Sequence, residues 1–268
     1  MIMKREQELK SFERLLDIMD ELRDKCPWDR EQTTESLRPL TIEETYELSD
    51  AILADDQNNI SKELGDILLH IVFYAKIGSE KGTFNIVDVI DLLCEKLIYR
   101  HPHVFSDTKV SGAGEVIQNW ESLKRTEKDG NKTILSGVPN ALPPLLKAYR
   151  MQDKVRAVGF DWDKKEQVWD KVKEEIGEFE QELVGLDYNN HQSVEKAEGE
   201  LGDLLFSIVN AARLYDLNPD TALEMTCIKF KNRFTYLEQK TKEQDLNLKD
   251  INLAQMNVIW DEAKAKGL

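Results

Sequence analysis

Cysteine, glycine and proline are all scarce in this 268-residue chain, and each shortage closes a possibility. Its three cysteines, Cys26, Cys94 and Cys227, are odd in number and far apart, with no CxxC or CxxH spacing. They read as reduced thiols, not as a zinc site or a redox pair. Thirteen glycines and seven prolines are too few for a collagen-like or low-complexity chain, while 41% hydrophobic and 32% charged residues suit a globular helical protein. Long apolar runs are missing too. The longest, Ile67 to Ala75, is interrupted by His70 and too short to span a bilayer, and the opening MIMKREQELKSF has no apolar h-region. These absences predict a soluble, cytoplasmic protein. Positive charge is also in deficit, with 36 Lys+Arg against 51 Asp+Glu, a net charge of −15 and a pI of about 4.8. Such a surface repels phosphate backbones, so nucleic-acid polymers and anionic membranes are poor partners. A phosphate-bearing ligand would have to be small and held by a metal or by a few local cations.

What the chain does have is helical patterning. Apolar residues recur at 3.6-residue spacing on both sides of the midpoint, and no segment shows the β-branched alternation of a strand. Between Lys128 and Pro144, KDGNKTILSGVPNALPP concentrates Gly and Pro as nowhere else in the sequence. This predicts an all-α fold of two helical-bundle domains, residues 8–126 and 142–268, joined by a linker at 127–141. The halves repeat each other. CPWD, EETYE, KELGDILLHIVFYA, KLIYR and WESLK in the first half are answered in order by FDWD, EEIGE, GELGDLLFSIVNAA, KFKNR and WDEAK in the second. Offsets run from 131 (Glu43 to Glu174) to 140 (Trp120 to Trp260), a loop-sized drift that marks a duplicated domain.

Acids dominate the repeated blocks. On a helix, Glu43, Glu44 and Glu47 fall on one arc, with Leu48 and Ile52 on a core stripe beside them, and Glu174, Glu175 and Glu178 repeat the arc. Alone, such an arc is an ordinary solvated face. The following helix changes the reading, because Leu64 to Ala75 is apolar nearly all round and reads as buried on most sides. Glu63, Asp66 and His70 form a narrow polar stripe on it; Glu200, Asp203 and Ser207 match them. Carboxylates are rarely buried without partners. If the two stripes meet, pairs about 4 Å apart repel by roughly 4 kcal/mol each at an effective dielectric near 20. A divalent cation would remove that repulsion, and an all-oxygen set suits Mg²⁺ or Mn²⁺ over zinc. Gly65 and Gly202 sit between the acids, for close helix packing or for ligand clearance.

Cations recur as well. Lys96 with Arg100, and Lys229 with Arg233, are i,i+4 pairs, and the Trp-led blocks add Lys124 and Lys264. They suit either surface ion pairing or phosphate binding, with Lys a point charge and Arg a fork. Trp28 and Trp162 each precede an Asp, and serve either a core or a stacked base. His101 and His103 form an H-x-H in one half alone, where Pro102 favours a helix-ending turn over a metal site.

The EExxE pattern, followed twice by ExxD about 15 to 21 residues on, resembles the all-α nucleoside triphosphate pyrophosphohydrolase superfamily. With CPWD, TIEETYE, KELGD, RHPHVF, VGFDW and KF-x-x-RF in tandem, the chain is similar to the MazG family in particular, from about Phe12 onward. That resemblance implies Mg²⁺-dependent hydrolysis of NTPs and dNTPs to the monophosphate and pyrophosphate, by a helical homodimer. It implies Glu175, Glu178, Glu200 and Asp203 as metal ligands, Glu174 as a neighbouring ligand or water-orienting group, and Lys229, Arg233 and Lys264 as phosphate-holding groups. Trp162 would lie beside the nucleoside. The first half matches at Glu44, Glu47, Glu63, Asp66, Lys96, Arg100 and Lys124. Its CPWD departs from FDWD through Pro27, which favours the second half as the main catalytic unit. A dimeric dUTP pyrophosphatase or a phosphoribosyl-ATP pyrophosphohydrolase would share the acids, but the duplication and RHPHVF speak against both. A nucleotide-sensing module and a structural helical protein remain the other readings.

Overall fold

A computed structural model describes residues 2–112, 115, 116, 119, 123 and 133–268, and it is helical throughout, with no strand among those residues. The chain divides into two compact units, residues 1–110 and 111–268. The first part of the expected linker, residues 127–132, lies outside the described residues, as do Trp120 and Lys124.

In the first unit, α1 (Ile2–Lys25), α2 (Pro27–Glu31), α3 (Thr34–Leu53), α4 (Gln57–Glu80), α5 (Ile86–Arg100) and α6 (Pro102–Phe105) follow in order. Local chemistry starts the long ones. Thr33 and Ser36 form a reciprocal capping box at α3, Asp56 accepts from the N–H groups of Asn58 and Asn59 at α4, and Asn85 pairs with Asp88 at α5. A short turn makes α3 and α4 an antiparallel pair, and they pack along their length. Met19 of α1, Leu37 of α3, and Val72, Phe73 and Ile77 of α4 close the core, with Phe12, Leu15 and Leu69 around it. Gly78 lets the following turn close onto α4, since a Cβ there would sit 2.7 Å from the Phe84 carbonyl.

The second unit repeats the scheme with α7 (Pro144–Arg156), α8 (Val168–Val184), α9 (His191–Leu214), α10 (Pro219–Glu243) and α11 (Leu253–Ala265). Asn190, Asn218 and Asn252 cap α9, α10 and α11. Helix α8 packs on α9, α7 on α9 and α10, and α11 on α10. Val168, Val172 and Ala211 form the core of the α8–α9 pair.

The helix of Leu64 to Ala75 reads as buried on most sides; in the single chain most of its C-terminal half is, with His70, Val72, Phe73 and Ala75 all buried, while one side of its N-terminal half is not. Leu64, Leu68 and Ile71 stay exposed, as do Leu201, Leu205 and Ile208 on α9. Apolar composition tells that a face avoids water, not which surface covers it.

Candidate active site

Each antiparallel pair brings its acids together. In the second unit, carboxylate oxygens of Glu175 from α8 and of Glu200 and Asp203 from α9 lie within 4.8 Å of one another; in the first, those of Glu44, Glu63 and Asp66 do the same. Glu178 and Glu47 stand one turn further along α8 and α3. Partial desolvation, then the charge of Glu175, pushes the Glu178 carboxyl upward; Glu174 and Glu200 add to this against the opposing charge of Lys171. Glu44 is likewise raised, by desolvation first and then by Asp66, Glu47 and Glu63. Glu43 and Glu174 sit on the exposed side of their helices.

Sequence reasoning did not single out the lysines that answer these charges. Lys171 Nζ lies 2.8 Å from Glu174 and 2.7 Å from Glu175, and its pKa is raised by those two hydrogen bonds. In the first unit Lys62 lies 2.9 Å from Glu63 and 3.9 Å from Asp66. The i,i+3 and i,i+4 spacing from Lys171 to the two glutamates was the available signal. One lysine does not satisfy the cluster: Glu63 is 3% exposed, and its Oε2 has no hydrogen-bond partner. A Cβ added at Gly65 or Gly202 would meet nothing within 4 Å, so helix packing inside the chain does not explain either glycine. An all-oxygen cluster with an orphaned carboxylate oxygen and open space at its glycine fits a hard divalent cation.

The two units part company beside the acids. Glu175, Asp203 and Lys171 of the second unit line a cavity of about 660 Å³, whose walls also carry Phe160, Trp162 and Phe206. That volume is in the range that takes a small organic ligand. Asp161 anchors the loop bearing the two aromatics. Its carboxylate accepts from both Nη atoms of the buried Arg213, one at 3.1 Å, and lies 3.8 Å from Arg156 Nε. Burial works to raise Asp161, but Arg213, the Trp162 N–H and Arg156 together outweigh it and hold the carboxyl below its usual range.

In the first unit Pro27 opens the short α2, and Trp28 is exposed. Arg23 ties that loop down, donating to the carbonyls of Asp29, Arg30 and Gln32 while pairing with Glu80.

The expected phosphate-holding cations lie on other elements. Lys96 and Arg100 are on α5, and Lys229 and Arg233 are on α10. Arg233 stacks 6.0 Å over the Trp260 ring and donates to the Leu268 main-chain oxygen at 2.6 Å, while Lys264 pairs with Asp261 at 3.0 Å. None of these lines the cavity.

Antiparallel helix pairs that converge carboxylates in this way are the architecture of the all-α nucleotide pyrophosphohydrolase class, and the MazG nucleotide pyrophosphohydrolase domain matches residues 32–105. A Thermotoga maritima protein described as nucleoside triphosphate pyrophosphohydrolase/pyrophosphatase MazG is 41% identical over 94% of this chain and 95% of its own. An Escherichia coli nucleoside triphosphate pyrophosphohydrolase is 38% identical over 96% and 98%. Bacillus subtilis YabN is 43% identical over 94% of this chain, which spans 51% of YabN. The chain belongs to the MazG family.

Proposed function

We propose that this protein is a divalent-metal-dependent nucleoside triphosphate pyrophosphohydrolase, converting NTPs and dNTPs to the monophosphate and pyrophosphate, with the second unit as the main catalytic unit. The observation that carries this reading is the junction of the acid cluster with the aromatic cavity: Glu175 and Asp203 belong to both. A nucleotide needs its phosphates at a cation and its base in an apolar slot at the same time. The activities named for the T. maritima and E. coli relatives support the same reaction.

Glu175, Glu178, Glu200 and Asp203 would hold Mg²⁺ or Mn²⁺ here, and Glu44, Glu47, Glu63 and Asp66 would do so in the first unit. The bound ion would neutralise the clustered carboxylates and polarise phosphate oxygens. Glu174 accepts a proton from the attacking water and orients it. The water oxygen bonds to phosphorus, the bridge between the α- and β-phosphates breaks, and pyrophosphate leaves with the electron pair. Lys171, which lines the cavity, offsets the negative charge that develops on it; Lys229, Arg233 and Lys264, which the family resemblance implies for the same task, stand outside the cavity wall and would act on phosphates that extend beyond it. Trp162 and Phe160 supply apolar faces for the base. Lys96, Arg100 and Lys124 are the first unit's counterparts to the phosphate-holding cations.

The first unit acts chiefly as architecture, because Met19 and Phe73 sit in its packed core. A homodimer belongs to the same reading, since the exposed stripes on α4 and α9 are apolar at helical spacing and need a cover. No helix among the described residues is long and apolar enough to cross a membrane. A cytoplasmic site of action is part of the same proposal. Incubation with a panel of NTPs and dNTPs, with Mg²⁺ and with a chelator, tests the reading. Monophosphate and pyrophosphate formed only with the metal support it, and intact triphosphates overturn it.

A further inference from the structure

The repeat offers an internal control for what the second unit's cavity recognises. The run MDELR at residues 19–23 aligns with QDKVR at 152–156, so Met19 and Gln152 hold the same place on α1 and α7. The ELGD blocks at 63–66 and 200–203 likewise set Phe73 of α4 opposite Asn210 of α9. In the first unit Met19 and Phe73 share one apolar core, with Met19 1% exposed. In the second unit both places are amides, and both line the cavity. The helical scaffold therefore does not require polar groups there, since its own first copy is built with a thioether and a phenyl ring.

Gln152 carries a second signal. It is 4% exposed, and its Nε2 donates to the Phe206 carbonyl at 2.8 Å, which fixes how the amide is turned. Its Oε1 has no hydrogen-bond partner. Buried polar atoms almost always have one, so an orphaned acceptor in the wall of a ligand-sized cavity points to a donor that arrives from outside the chain. Asn210 complements it. Its Oδ1 accepts from Arg213 Nε at 3.2 Å and Nη2 at 2.9 Å, leaving its amide N–H₂ as the group able to donate.

We infer that Gln152 is a base-reading residue: its Oε1 accepts a hydrogen bond from a ring or exocyclic N–H of a nucleobase in the cavity, and Asn210 donates to an acceptor on the same base. This rests on the reading that the cavity takes a nucleoside. Phe160, Trp162 and Phe206 give the base its apolar surroundings irrespective of its edge, whereas Gln152 and Asn210 respond to the pattern of donors and acceptors on that edge. A base without a donor would leave Oε1 unpaired, and the cavity would reject it.

The test is calorimetric binding, with Mg²⁺ present, of α,β-methylene triphosphates that cannot be cleaved at that bridge. Each nucleoside is paired with a counterpart lacking a donor: adenosine with purine riboside, guanosine with inosine for its amino group and with 1-methylguanosine for its ring N–H, cytidine with 2-pyrimidinone riboside, uridine with 3-methyluridine. The wild-type protein is expected to prefer the donor-bearing member of at least one pair by about tenfold or more. Gln152→Met, which installs the residue of the first copy, is expected to erase that preference while leaving the affinity for inorganic tripolyphosphate unchanged. If Gln152→Met fails to fold, Gln152→Leu is expected to erase the same preference, and Asn210→Leu, at a half-buried place, is expected to weaken both members of each pair alike. Pairs that bind alike in the wild type, a donor preference that survives the change at Gln152, or nucleotide affinities that Asn210→Leu leaves unchanged overturn the inference. Hydrolysis plays no part in this readout. Selective binding without any triphosphate turnover would overturn the proposed activity and leave Gln152 in place, and turnover with a flat binding profile would do the reverse.

Discussion

Lys171 reaches Glu175 at 2.7 Å across one turn of α8, whereas the first unit neutralises its cluster with Lys62 of α4. The repeat does not pair these lysines: Leu40 stands opposite Lys171, and Gly199 opposite Lys62. Each copy has found its own counter-charge for the same clustered acids, which shows that the acids need one. On the proposed reading, a lysine and a divalent ion compete for the same oxygens. Lys171→Met is expected to lower the melting temperature without metal by about 2–4 °C, and to enlarge the upward shift that Mg²⁺ produces. Paired thermal melts with and without Mg²⁺ check this; equal metal shifts in both proteins would show that the lysine and the ion do not share the site.

Glu200→Gln keeps the shape of a ligand and removes its charge. Calorimetric titration with Mn²⁺ is expected to show about tenfold weaker binding or worse, and turnover is expected to fall by about 100-fold. Full turnover together with unchanged affinity would remove Glu200 from the metal site.

Asp161 makes stability depend on acid. Its carboxyl is held below the usual value of 3.8, so its contribution is fully present above that value and is lost as the pH falls through the lower, folded one. Asp161→Asn leaves the buried Arg213 without its counter-ion and is expected to cost about 3 kcal/mol near neutral pH. The cost should shrink in acid, where the wild-type carboxylate is itself protonated. Urea unfolding across the acid range measures it, and a cost that stays constant with pH would contradict the pairing.

Both α4 and α9 leave an apolar stripe exposed, with Leu205 half exposed at the centre of the second. Leu205→Glu is expected to shift the protein from dimer to monomer in light scattering at micromolar concentration. A wild-type monomer at that concentration would refute the homodimer.

Much of this arrangement was legible in the sequence. The helices, the duplication and the two acid arcs follow from periodicity and from residues repeated in order, because a 3.6-residue pattern fixes which side chains share a face. Periodicity put Glu200 and Asp203 on one stripe and Glu175 on an arc of the helix before it, but it paired the stripes of the two halves; the meeting of Glu175 with Glu200 and Asp203 inside one unit was implied by the family resemblance alone. Arg213 and Gln152 could be placed by neither. Both owe their roles to packing between α9 and the segments before it, and Gln152 in isolation is one more polar residue on an amphipathic helix. Asp161 was visible only as part of FDWD, with no hint of the arginine 52 residues away that it holds. The exposed stripes have a related reason: apolar periodicity records that a face avoids water, not which surface covers it.

The proposed division of labour between the units rests on the same contrasts. Both clusters hold their carboxylates, but Met19 and Phe73 occupy in one copy the places where Gln152 and Asn210 border a cavity in the other. Matched variants, Asp203→Asn and Asp66→Asn, assayed side by side for formation of monophosphate and pyrophosphate from triphosphates with Mg²⁺, test this most directly. Asp203→Asn is expected to lose activity by about 100-fold or more while Asp66→Asn keeps most of it; loss of activity in Asp66→Asn with Asp203→Asn intact would place catalysis in the first unit and contradict the account.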